Sequence, residues 1–207
     1  YLAGGHVEER TTCLVTDHGP YTLEDGTELL AGKVTTDDEW TSVSFSASLA
    51  TDPVVFSDIQ TYNDSRPAVV RQQDVSKSGF SVRLQGSERR RAHESEDIGY
   101  VAIERGTGTL NDRAFEVDVE SGVDHEWSTI EFDGTYREPL FVADLQTFSG
   151  PDSSGLRYRN LTESSVEIRV EEERSSDDEV VHAEEDVGYL VAGAPSSERT
   201  PTRSADA

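Results

Sequence analysis

Apolar residues recur at every second position along much of this chain. Val43, Phe45, Ala47 and Leu49 alternate with polar neighbours, as do Phe80, Val82 and Leu84. The period of two returns at Phe115, Val117 and Val119, and again at Val166, Ile168 and Val170. Successive side chains of a strand point to opposite faces, so this pattern predicts half-buried β-strands. Val54-Val55-Phe56 and Tyr100-Val101-Ala102-Ile103 are continuous apolar runs, which predict interior strands covered on both faces. Turn signals separate the runs at Asn63-Asp64-Ser65, Ser78-Gly79, Asp133-Gly134 and Ser149-Gly150-Pro151-Asp152. No window sustains the 3.6-residue period of a helix. The expected fold class is all-β, built as antiparallel sandwiches.

The chain also repeats itself. Thr22-Leu23 lies over Thr109-Leu110, Asp25 over Asp112, Trp40 over Trp127, and Phe45 over Phe132. One residue of slippage later, Pro53-Val-Val-Phe-Ser-Asp58-Ile-Gln-Thr-Tyr62 lies over Pro139-Leu-Phe-Val-Ala-Asp144-Leu-Gln-Thr-Phe148. Arg71 then meets Arg157, and His93-Glu-Ser-Glu-Asp-Ile-Gly-Tyr100 meets His182-Ala-Glu-Glu-Asp-Val-Gly-Tyr189. The expectation is two tandem six-stranded antiparallel β-sandwich domains, at 19–105 and 106–194. Residues 1–18 read as a lead-in, either an added strand or the end of a preceding module, since Tyr1-Leu-Ala-Gly-Gly5 is similar to Tyr189-Leu-Val-Ala-Gly193. Residues 195–207 read as a polar tail or linker.

Charge changes the picture of where such a protein works. The 207 residues carry 18 Lys plus Arg against 42 Asp plus Glu, a net −24, and only Lys33 and Lys77 are lysines. A carboxylate-rich, lysine-poor surface suits molar salt, where a Debye length of about 3 Å screens its self-repulsion. The same charge repels nucleic-acid phosphate and anionic lipid, so neither is an expected partner. No apolar run approaches the roughly 20 residues of a spanning helix, and Tyr1–Gly5 is no signal peptide, so no membrane insertion is expected. Cys13 stands alone, which leaves no intrachain disulfide and no cysteine-based zinc site. The chain lacks a phosphate-cradling glycine loop, a Gly-x-Ser-x-Gly elbow and a His-Glu-x-x-His motif. The expectation is therefore no enzyme, no cofactor and no metal.

In each copy the order is Gly, Trp, Val-x-Phe or its equivalent, Pro with an apolar run ending in Gln, Arg, a Ser-rich turn, and a final Ile/Val-Gly-Tyr strand. This order resembles the H-type lectin family, the small six-stranded sandwiches of snail agglutinins and discoidin C-terminal regions. The resemblance covers nearly all of 32–104 and 122–192. It implies binding of N-acetylgalactosamine-like sugars near junctions of associated domains. It also implies a homo-oligomer, with a trimer as the family's arrangement, and places Arg71 and Arg157 where a sugar-holding arginine sits. The family's Gly/Asp loop after the tryptophan and its Trp-His pair are missing here, so the resemblance does not extend to its particular sugar preference.

The candidate contacts each have a functional and a plain reading. Arg71 and Arg157 could hold sugar hydroxyls with a guanidinium fork, or pair with cross-strand acids. His93 and His182 open equivalent His-x-x-Glu-Asp stretches that could bind a divalent cation or hydrogen-bond a glycan, or a solvated loop could simply enter the last strand there. Tyr62 and Tyr158 could stack on a pyranose face, as could Trp40 and Trp127, which more simply anchor a core or interface. Arg89-Arg90-Arg91 could clasp an acidic ligand or neighbouring subunit. Together these lead to an expected non-catalytic, glycan-binding protein, extracellular or displayed on a cell surface, appendage or virion and mediating adhesion or receptor recognition in high salt. The alternative is a structural β-sandwich module of an appendage or virion fibre, making subunit contacts without glycan. The arginines decide between the two: open and lining a pocket they bind, buried and paired with a carboxylate they build.

Overall fold

The computed structural model describes residues 11–195. The outer parts of the lead-in and the tail, 1–10 and 196–207, lie outside the described residues. The fold is all-β, with fourteen strands and only antiparallel pairing among them.

The first seven strands are β1 (Gly19–Thr22), β2 (Glu28–Thr36), β3 (Thr41–Ser44), β4 (Pro53–Ile59), β5 (Ala68–Ser76), β6 (Gly79–Gly86) and β7 (Glu96–Glu104). They form a four-stranded sheet, β1-β2-β7-β4, and a three-stranded one, β3-β6-β5. The next seven are β8 (Gly106–Leu110), β9 (Arg113–Val123), β10 (Ser128–Glu131), β11 (Tyr136–Leu145), β12 (Ser154–Arg159), β13 (Ser165–Glu172) and β14 (Glu185–Pro195). These repeat the pattern as β8-β9-β14-β11 and β10-β13-β12. Each half therefore has seven strands rather than six. The extra strand is the short edge strand, β1 or β8, which the alternation did not reveal because four or five residues of Gly, Thr, Tyr and Pro carry little periodicity.

Three apolar clusters set the layers. Leu30, Val43, Val55, Phe80, Val82, Leu84 and Ile98 fill the space between the first two sheets. Ile130, Phe141, Val166, Ile168, Val187 and Val191 do the same in the second half. A third cluster joins the outer faces of the two four-stranded sheets: Leu29, Val54, Phe56 and Ile103 meet Phe115, Val117, Leu190 and Ala192. The sheets therefore stack in the order three, four, four, three, with apolar packing at every junction.

The apolar runs marked this burial but not the place of each strand. β7 is interior in its sheet, whereas β4 lies at an edge. Val55 faces the first sandwich core while Val54 and Phe56 face the second half, so β4 is covered on both faces without a second neighbouring strand. Its free edge is closed by side chains instead. Gln146 accepts from Val55 N at 2.9 Å and returns its amide N–H to Val55 O at 2.9 Å, so one glutamine stands in for a strand. Gln72 Nε2 donates to the same carbonyl at 2.6 Å, and Ser57 N donates to Asp144 at 3.0 Å. An unpaired buried amide costs about 1–3 kcal/mol, so these side chains allow an edge strand to sit at the centre of the molecule.

The third cluster makes the halves depend on each other. Phe115→Ala is expected to lower unfolding free energy by about 3–5 kcal/mol. Denaturant titration with one probe in each half should show both transitions moving together.

Candidate functional site

Arg71 of the first half and His182 and Glu185 of the second bring the first half's three-stranded sheet to the second half along one polar seam. Arg71 lies mid-strand in β5, cross-strand from Arg83, and points away from its own core. Its side chain has no solvent exposure, and neither has that of its partner Glu185, 2.5 Å away. Nη1 also donates to Ser154 Oγ at 2.9 Å and to Gln85 Oε1 at 3.1 Å, and Nη2 to Thr147 O at 3.3 Å. Ser154, Thr147 and Glu185 all belong to the second half. Arg71 is thus a tie between the two halves and not a sugar contact, because no face of its guanidinium reaches solvent.

Glu185 is held from several sides. It accepts from Thr147 Oγ1 at 2.5 Å and Ser149 N at 3.0 Å, and lies 3.1 Å from His182 Nε2. Burial alone would raise its pKa. The hydrogen bonds from His182, Thr147 and Ser149 and the charge of Arg71 outweigh burial and bring it to about 2. His182 is buried between Glu185 and Glu172, whose Oε1 lies 2.7 Å from Nδ1. Burial pulls its pKa down, but the bonds to the two carboxylates prevail and hold it above its ordinary value. His182 therefore serves the seam and is closed to a glycan.

A second carboxyl, half-buried, sits nearby. Burial pushes Asp144 up to about 7, although Ser57 and Leu145 donate hydrogen bonds to it. Close approach of the halves also needs a glycine. A Cβ on Gly188 would lie 2.4 Å from Val54 Cγ1 and 2.8 Å from the Gln146 amide carbon, so β4 could not seat against β14.

The remaining expected contacts fall apart spatially. His93 is buried, its ring nitrogens 2.8 Å from Glu94 O and 2.9 Å from Arg66 O, so it fastens a loop rather than presenting itself to a ligand. Tyr62 is exposed. Arg157 is exposed and pairs with Glu171 at 2.5 Å. Tyr158, its neighbour on β12, packs edge-on against Phe141 of the second core, so the two point to opposite faces and share no pocket. Arg91, from the basic tip, lies 3.6 Å from Asp152 of the second half. Among the described residues, no group of three or more His, Cys, Asp or Glu is placed to hold a metal, and no helix is long and apolar enough to cross a membrane.

Sequence reasoning named the histidines of the His-x-x-Glu-Asp motifs, but the glutamates carry the geometry. Glu96 repeats the cap made by Glu185, accepting from Thr61 Oγ1 at 2.5 Å and Asn63 N at 2.8 Å. The signal was present, since Thr61 and Thr147 occupy matching positions ahead of matching glutamates. Gln146 and Phe148 stood in the repeated Gln-Thr-aromatic stretch, where Phe148 reads as a loop aromatic able to stack on a sugar, whereas Gln72 carried no separate signal because a lone glutamine reads as ordinary surface.

No family model matches this chain, and no solved structure matches it. The chain is similar to Halomucin of Haloquadratum walsbyi, 34% identical over 205 residues, which is 96% of this chain and 2% of that protein. The chain thus spans a small fraction of the relative's length.

Glu185 gives the seam a pH signature. Its folded pKa of about 2 lies below the ordinary 4.5. Its stabilisation is therefore complete above about pH 4.5 and is lost as pH falls towards 2. Glu185→Gln leaves a buried guanidinium without its counter-charge, so unfolding free energy at pH 7 should drop by about 3–5 kcal/mol. The acid limb of the stability profile should flatten with it. Adding Arg71→Met should recover part of the loss in denaturant titrations.

Proposed function

We propose that this chain is a non-catalytic structural segment of a surface-exposed or extracellular protein that works in high salt. In this reading residues 19–105 and 106–194 are tandem β-sandwich modules, locked together rather than strung on a flexible linker. The observation that carries it is the Arg71–Glu185 pair, with both side chains fully out of solvent between the halves. The arginine that the H-type lectin resemblance assigns to sugar is used here to build. The similarity to a segment of Halomucin supports the surface location and the salt. The −24 charge with only two lysines supports the same setting.

Glycan binding keeps one exposed surface. Trp127 has Arg159 4.0 Å and Arg169 4.8 Å over its ring, with Arg157 cross-strand from Arg169. An aromatic face beside guanidinium groups suits a pyranose.

A glycan array in about molar KCl, where the Debye length is about 3 Å, tests the two readings. The structural reading expects no sugar-specific binding by folded protein. Binding that Arg157→Ser abolishes would replace that reading with the lectin one. The salt setting is checked separately: the melting temperature should fall steadily as KCl is lowered from molar to tens of millimolar, because unscreened carboxylates repel.

A further inference from the structure

The apolar cluster between the halves draws on equivalent residues of both, Ile103 with Ala192 and Leu29 with Phe115, but the polar contact beside it is one-sided. The second half inserts Phe148. Its ring sits 5.4 Å from Trp40, edge to face, with the Arg71 guanidinium 4.8 Å and the Arg83 guanidinium 5.8 Å from its centroid. Trp40, Arg71 and Arg83 thus form a socket, and the Phe148 loop is a plug carrying Glu185 beneath it.

The repeat copies both parts. The equivalent of Phe148, 86 residues earlier, is Tyr62, on a loop capped by Glu96 in the way Glu185 caps its own. Tyr62 is 80% exposed, and no arginine reaches Glu96 among the described residues. The equivalents of Trp40, Arg71 and Arg83 are Trp127, Arg157 and Arg169. Arg83 lies 5.4 Å over the Trp40 ring, and Arg169 takes the same place over Trp127 at 4.8 Å. Yet Arg157 has a 52% exposed side chain where Arg71 has none. Leu140, equivalent to the fully buried Val54, is 41% exposed.

From this we infer that the chain docks head to tail with a second copy of itself, the Tyr62 loop of one copy entering the Trp127–Arg157–Arg169 socket of the next. The plug-and-socket part of the internal seam is the template for the contact, without the apolar cluster, whose residues are already buried within the chain. The charges complement each other: the socket gathers Arg157, Arg159 and Arg169 against Glu167 and Glu171, an excess of one positive charge, while Glu96 and Asp58 stand on the strands beside the plug loop. Asp58 stands where Asp144 stands in the internal seam. A heterologous contact leaves one plug and one socket free after each addition, so association continues until a ring closes or a filament grows.

Sedimentation velocity of the full chain in about molar KCl tests this, with salt screening the −24 charge of each copy. Wild type should associate with rising concentration. Tyr62→Ser and Arg157→Ser, both at exposed positions, should each remain the 22.8 kDa monomer under conditions where wild type is mostly assembled. An equimolar mixture of the two variants retains one intact plug and one intact socket. It should give a 1:1 heterodimer and nothing larger, which also shows that both variants are folded. Wild type that stays monomeric, variants that associate as wild type does, or a mixture that stays monomeric would each overturn the docking. Such a failure would leave the structural reading of the internal seam in place, since that reading stands or falls with the glycan array.

Discussion

A guanidinium removed entirely from water governs how the two halves of this protein meet. Taking Arg71 and Glu185 out of solvent costs several kcal/mol per ion, and a dense set of partners on both Arg71 Nη atoms offsets that cost, although Nε has no hydrogen-bond partner among the described residues. Gln85, Ser154, Thr147 and Glu185 provide the set, from three sheets and one loop that belong to different halves. The apolar cluster beside them supplies area but little direction, since Leu29, Val54 and Phe115 would tolerate sliding. The hydrogen-bonded pair does not tolerate it, and it fixes the register in which the cluster packs.

The same constraint explains the edge strand at the centre. β4 presents unpaired backbone groups to the second half, where an ordinary edge would invite a foreign strand. Gln146 and Asp144 occupy those groups and at the same time belong to the loop and strand that hold Thr147 and Phe148. Strand edge, ion pair and aromatic plug are therefore one connected arrangement. Gly188 supplies the clearance that the arrangement needs.

A carboxylate surface and a buried charged seam are compatible in this chain because they answer to different screening. Salt shortens the reach of exposed charges to a few ångströms, which relieves repulsion among the many surface acids. A pair with no solvent exposure is shielded from that screening and keeps its strength. The contacts between halves that matter most are thus the ones high salt weakens least, whereas exposed pairs such as Lys33–Asp97 and Arg159–Glu167 lose much of their attraction.

The sequence by itself determined the fold class, the repeat and the burial of particular runs. Alternation at Val43–Leu49 or Val166–Val170 follows directly from strand geometry, and a run such as Val54-Val55-Phe56 requires cover on both faces. It also marked Arg71, His182 and the Glu-Asp pairs as equivalent to positions one repeat away. Tertiary structure alone decided what those positions do. Arg71 and Arg157 have the same strand setting and matching neighbours, yet one is sealed against Glu185 and the other stands in solvent beside Glu171. The physical reason is that local sequence fixes a side chain's direction, whereas its environment depends on which surface lies opposite, and that surface comes from residues more than seventy positions away.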